Sequence, residues 1–184
     1  MPSFPIARMA AVCKQYGPGR LPYTDRRDIG AGYAMATTAA VATVTFVFAM
    51  QLPGLPEILP TGDDAAYVGS IALPLVVLSA FVAGVIAWRS ATPELSRLGP
   101  AAGLAATGLT YLVGTLVVGV VLVISSVIQD PSQLRTLSTA GELLVGMSYF
   151  APTVGVVAFL FTSWLTLPLG ALGGSIYERT RQVS

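Results

Sequence analysis

The side chains of this chain that are able to do chemistry inside a membrane are hydroxyls, not ionisable groups. Thr38, Thr45, Thr107, Thr110, Tyr111 and Thr162, with Thr153, Ser163 and Thr166 nearby, are the polar residues of otherwise apolar runs. Two arrangements suit them. They line a narrow path for a small neutral or anionic solute, or each hydroxyl bonds the carbonyl four residues back in its own helix, as Ser and Thr commonly do in membrane helices. The second arrangement is the expected one.

Catalysis and metal binding have little to work with. There is one cysteine, Cys13, and no histidine, so an internal disulfide, the usual zinc constellations and a serine–histidine site all lack a member. No apolar run holds an Asp, Glu, Lys or Arg in its interior, although proton relays and ion pathways are ordinarily marked by such residues. Asp130 and Glu142 flank apolar runs. Asp130-Pro131-Ser132-Gln133 has the form of a short helix start, and Thr139 with Glu142 has the spacing of a capping box, so the two acids are expected to be caps and not a catalytic pair. No catalytic, cofactor-binding or metal-binding residue is expected, and no enzymatic role.

The elements that hold these hydroxyls follow from composition. Of the 184 residues, 54% are hydrophobic and 10% charged, where soluble domains carry about 25% charge. The ten basic residues nearly cancel the nine acidic ones, which gives nucleic acid nothing to bind. Four uncharged apolar runs each exceed the ~20 residues that a ~30 Å hydrocarbon core requires. They predict transmembrane helices at about 29–52, 66–88, 101–128 and 143–177. The runs are continuous, without the alternation of a membrane β-barrel. The fold class is therefore all-α, an integral membrane four-helix bundle, with a basic segment over 1–28, a four-helix domain over 29–177 and a tail over 178–184. The first span, rich in Ala and Thr, depends least on lipid and is expected at the centre of the bundle.

Orientation follows from Lys and Arg. Nine of the ten lie before the first span, after the second or after the fourth, against Arg135 alone on the other side. By the positive-inside rule both termini are cytoplasmic in a multi-pass protein of the cell membrane. Trp88 and Tyr177 beside arginines then fit cytoplasmic interface anchors, with Tyr67 and Tyr149 on the outer side. The first 28 residues lack the uninterrupted apolar stretch of a signal peptide. Within them Ile6, Met9, Ala10 and Cys13 share one helical face, which suits either an interfacial helix or a flexible basic tail. In the outer loop Pro53, Pro56 and Pro60 predict an extended path, while Thr92-Pro93-Glu94 and Gly99-Pro100 are helix-start signals.

Small residues recur at helical spacing: Gly170 with Gly174, Thr115 with Gly119, and Ala80 with Gly84. Such positions let backbones approach in lipid, and their expected use is packing within the bundle more than between copies. Pro152 and Pro168 are expected to kink the fourth helix. Ile29-Gly30 with Thr38 aligns on Leu98-Gly99 with Thr107, the pattern of a parallel repeat of two hairpins. Together these features describe a subunit without catalytic role in a membrane assembly, contacting the lipid bilayer and either a membrane-protein partner or further copies of itself. The alternative is a minimal oligomeric transporter or channel for a small neutral or anionic solute.

Overall fold

A computed structural model describes residues 21–51, 63–90, 99–129, 131 and 137–182. They form four α-helices: α1 Arg27–Ala49, α2 Asp63–Ser90, α3 Gly99–Gln129 and α4 Leu137–Gln182. Among the described residues there is no strand. All four helices are long and apolar enough to cross a membrane, and together they form an all-α four-helix bundle. The expectations placed on residues 1–20, the outer loop prolines, Thr92-Pro93-Glu94 and Asp130 lie outside the described residues.

Local chemistry explains most helix ends. Ahead of α1 the backbone turns at Tyr23, whose φ is 64°, and the Arg26 N–H donates to the Tyr23 carbonyl at 3.1 Å. Asp28 in the first turn complements the helix dipole. α2 starts at Asp63 and carries Arg89 in its last turn, which is the favourable charge at a helix C-terminus. α3 opens on Gly99-Pro100; proline there gives up an N–H that has no helical acceptor in any case. α4 carries Arg179 and Arg181 in its last turn. It starts at Leu137, earlier than the capping signal implied, so Thr139 and Glu142 lie within its first turns instead of bracketing its start. α4 runs unbroken through Pro152 and Pro168, and α2 contains Pro74.

Each helix packs on its sequence neighbours and α4 returns to α1, while α1 and α3 barely touch across the diagonal. α1 is therefore a corner of a four-membered ring and not its centre. Its share of buried residues is the largest of the four spans, but that burial comes from close neighbours on two sides.

The core is made of small side chains. Ala31, Ala80, Ala83, Ala102 and Ala106 are buried, and among the described residues Met35 and Trp88 are the larger apolar side chains buried beside them in this half of the bundle. Glycine makes this possible. A Cβ on Gly103 would collide with the carbonyl of Gly170, and one on Gly174 would lie 2.8 Å from the Gly103 α-carbon and against the Gly99 carbonyl. On the other hairpin, a Cβ on Gly84 would lie 2.9 Å from the Gly32 α-carbon. Backbone thus meets backbone in both α1–α2 and α3–α4. These contacts gather at one end, where α1 and α3 begin and α2 and α4 finish; we call it the closed end. In α3 the buried residues stop at Thr107, and the rest of that helix is half-buried or exposed.

This geometry predicts a sharp difference between two glycines of one helix. Gly103→Leu places a side chain where backbone stands, and overpacking of that kind costs about 1–3 kcal/mol or more. Its melting temperature in detergent should fall by roughly 5–10 °C. Gly108→Leu enters open space and should melt with the wild type or above it, because leucine favours helix by about 0.8 kcal/mol over glycine. Equal effects at the two positions would contradict the packing described.

Candidate functional site

Three places in the bundle carry more than packing. The first is a polar cluster at the closed end. The Trp88 Nε1–H of α2 donates to Glu178 Oε1 of α4 at 2.9 Å. Arg27 Nη2 of α1 stands 3.6 Å from the same oxygen, buried and with no hydrogen bond of its own. The Tyr177 hydroxyl donates to the Arg27 carbonyl at 2.6 Å, and its ring meets Trp88 edge-on with centroids 5.6 Å apart. α3 joins through Gly99, where a Cβ would press on the Glu178 stem at 3.2 Å. Gly30 likewise leaves room for the Tyr177 hydroxyl. One carboxylate at the end of α4 therefore ties to α1 and α2 and rests on α3.

Trp88 and Tyr177 are consequently not interface anchors. Trp88 is 3% exposed and Tyr177 packs against the core. An indole next to an arginine in sequence resembles an anchor, but here its N–H finds a carboxylate 90 positions away, a partner that no local pattern discloses. Tyr67 and Tyr149 are both exposed at the other end.

The second place is a hydroxyl chain between α3 and α4. Tyr111 Oη lies 2.6 Å from Thr162 Oγ1 and 2.6 Å from Thr166 Oγ1. The Thr162 hydroxyl donates to the Ala158 carbonyl at 2.7 Å, so it must accept from Tyr111. The single phenolic proton is then spent, and Thr166 must donate to Tyr111. The chain runs Thr166 to Tyr111 to Thr162 to Ala158 and leaves no proton to offer a solute. Phe159 covers the Tyr111 ring edge-on, with centroids 5.1 Å apart.

The other proposed polar-path residues do not converge on this chain. Thr38, Thr107 and Thr110 each donate to the carbonyl four residues back, at 2.8–2.9 Å, and Thr45 is exposed on α1. Thr38 and Thr107 instead fill the space left by Gly173 and Gly170. These two threonines, aligned in the suspected repeat, thus both seat on glycines of α4. The small-residue pairs all face inward. Gly170 and Gly174 meet Gly99, Gly103 and Thr107; Gly84 meets Gly32; Thr115 occupies the space left by Gly155; Gly119 faces Ala151; and Ala80 is buried. The partners of the α4 glycines, Gly99 and Gly103, form a Gly-xxx-Gly-xxx-Thr series with Thr107, a signal present in the sequence but not singled out.

The third place is an open groove of about 520 Å³ between the far halves of α3 and α4. Gly119 and Ala151 are its small members, and Val120, Val123, Leu144 and Met147 are among its larger ones. Pro152 also borders it, whereas Pro168 lies on the closed-end side of the hydroxyl chain.

Two substitutions separate these sites. Tyr111→Phe should cost only about 0.6–1.7 kcal/mol, the range of interhelical hydrogen bonds in membranes, since Thr162 keeps its bond to the Ala158 carbonyl and Thr166 can turn to the carbonyl four residues back. Glu178→Ala leaves Arg27 without its counter-ion and the Trp88 N–H without its acceptor, and should cost roughly 2–3 kcal/mol after allowance for the partial exposure of Arg27. Chemical unfolding in mixed micelles checks the order. A larger loss for Tyr111→Phe than for Glu178→Ala would place the principal polar tie in the wrong site. Family models, curated proteins and solved structures were each compared with this chain, and none matches it.

Proposed function

We propose that this chain is a subunit without catalytic role in a cell-membrane assembly, with both termini in the cytoplasm and the face of α3 and α4 turned to its partner. One observation carries this. The 31 residues of α3 include no Asp, Glu, Lys or Arg, which is ~46 Å of uncharged helix. In α4 the stretch between Glu142 and Glu178 is likewise uncharged, and spans roughly 50 Å. The hydrocarbon core is ~30 Å thick. Tilt alone would have to exceed the range of about 0–40° seen for membrane helices to absorb such lengths.

The surplus falls at a definite end. Arg27, Trp88, Gly99 and Glu178 meet at the closed end, so α3 and α4 overrun the core at the opposite side, where the groove lies. Apolar surface beyond the hydrocarbon is not solvated by acyl chains, and covering it with protein is the economical solution. Arg26, Arg27, Arg89, Arg179 and Arg181 gather at the closed end, which supports a cytoplasmic position for it.

The hydroxyls support a role without transport. Thr38, Thr107 and Thr110 close on their own carbonyls and Tyr111, Thr162 and Thr166 on one another, and the ion pair of Arg27 and Glu178 lies at the bundle's end instead of across it. In proteoliposomes the protein should give no solute flux above empty vesicles; flux abolished by Tyr111→Phe would favour the transporter alternative. The subunit role is tested by extraction in native lipid discs, followed by mass determination. The chain should emerge with a stoichiometric protein partner, of its own or another kind. A lone monomer in every preparation would overturn the proposal.

A further inference from the structure

The closed end collects more guanidinium than carboxylate. Arg26, Arg27, Arg89, Arg179 and Arg181 stand there against Asp25, Asp28 and Glu178. Two of the three acids are engaged: Asp28 lies 3.4 Å from Arg26, and Glu178 pairs with Arg27 at 3.6 Å. Helix dipoles do not offset the excess, because α1 and α3 begin at this end while α2 and α4 finish there, so their partial charges cancel. Arg89, Arg179 and Arg181 are exposed, and among the described residues none of them has a carboxylate within ion-pair distance. Three cations are thus left facing outward on one end of the bundle.

We propose that Arg89, Arg179 and Arg181 hold the phosphate headgroups of anionic phospholipids against the closed end. The inference is independent of the assembly reading. Depth points to lipid. The chain is uncharged from Gly69 to Trp88 and from Leu143 to Tyr177, so the three arginines stand within about one turn of apolar helix, at the level where headgroup phosphates lie. The frame that carries them is fixed. The Trp88 indole bonds Glu178, and the Tyr177 hydroxyl bonds the Arg27 carbonyl, which ties the ends of α2 and α4 to each other and to the start of α1. Arg89 and Arg179 each follow a member of that locked contact by one residue. On α4, Arg181 and Arg179 fall on either side of Glu178, about 60° and 100° around the helix. The carboxylate therefore turns into the bundle while a guanidinium flanks it on each side. Guanidinium suits the ligand, because its planar fork donates two parallel N–H bonds to one phosphate.

The test uses the full chain in vesicles of phosphatidylcholine with a minor fraction of phosphatidylglycerol. There are two tryptophans, so Trp164→Phe leaves Trp88, at the closed end, as the only indole. Bromine on the acyl chains of one lipid at a time quenches that indole when the lipid stands beside it. Brominated phosphatidylglycerol should bind at least about fivefold more tightly than brominated phosphatidylcholine, the equivalent of one arginine's attraction to an anionic surface. The preference should shrink at about 1 M salt, where the screening length falls to about 3 Å. It should vanish when Arg89→Gln, Arg179→Gln and Arg181→Gln are combined, while the Trp88 emission keeps its wavelength. Equal quenching by the two lipids would overturn the proposal, as would a preference that survives high salt or the combined substitution. Loss of the preference to inorganic phosphate at matched ionic strength would assign the arginines to a free anion and overturn the lipid.

Discussion

Everything in this bundle depends on helices approaching until their backbones touch. In water, helices associate because apolar side chains leave the solvent; in lipid that drive is absent, and dispersion between closely fitted surfaces must replace it. Gly103 against Gly170 and Gly174, and Gly32 against Gly84, supply that fit. The consequence is a core of alanines and glycines that is dense without large side chains. The hydroxyls of Thr38 and Thr107 enter the same scheme, each satisfied by its own helix while its bulk fills the space beside an α4 glycine.

Because these contacts crowd toward one end, the molecule is asymmetric along its length. At the closed end four helices converge on one carboxylate, Glu178, held by an indole N–H and a guanidinium and resting on a glycine. Removing a charge from water is expensive unless it is paired and hydrogen-bonded, so this cluster also fixes which helix ends must stay level. At the other end α3 and α4 continue as a pair with large exposed side chains and a groove between them. The tight end organises the chain, and the loose end carries the surface available to others.

Much of this was legible in the residues. The absence of charge over four long runs gave helix number and class directly, because a bilayer tolerates little else. Gly170 and Gly174 stood out by spacing, and the bonds of Thr107 and Thr110 to the carbonyls four residues back followed from the known habit of hydroxyls in apolar helices. The partners were harder. Tyr111 meets threonines 51 and 55 positions on, and Trp88 meets Glu178 at 90; periodicity reports which face of a helix is special but not which helix it will meet. The corner position of α1 escaped for a related reason. Its alanines and threonines imply close neighbours, yet two neighbours at a corner satisfy that as well as several around a centre.

The account stands most directly on the contact between α3 and α4. Through-space carbon correlations by solid-state NMR, recorded on the full chain in lipid bilayers, measure it without altering a residue. The assigned α-carbons of Gly103 and Gly174 should give a strong cross-peak. The separation expected is about 4 Å, one C–C bond beyond the 2.8 Å between the Gly103 α-carbon and the place a Gly174 Cβ would take. A missing cross-peak, with those of neighbouring residues within each helix present, would mean that the backbones do not touch, and the structure described here would lose its foundation.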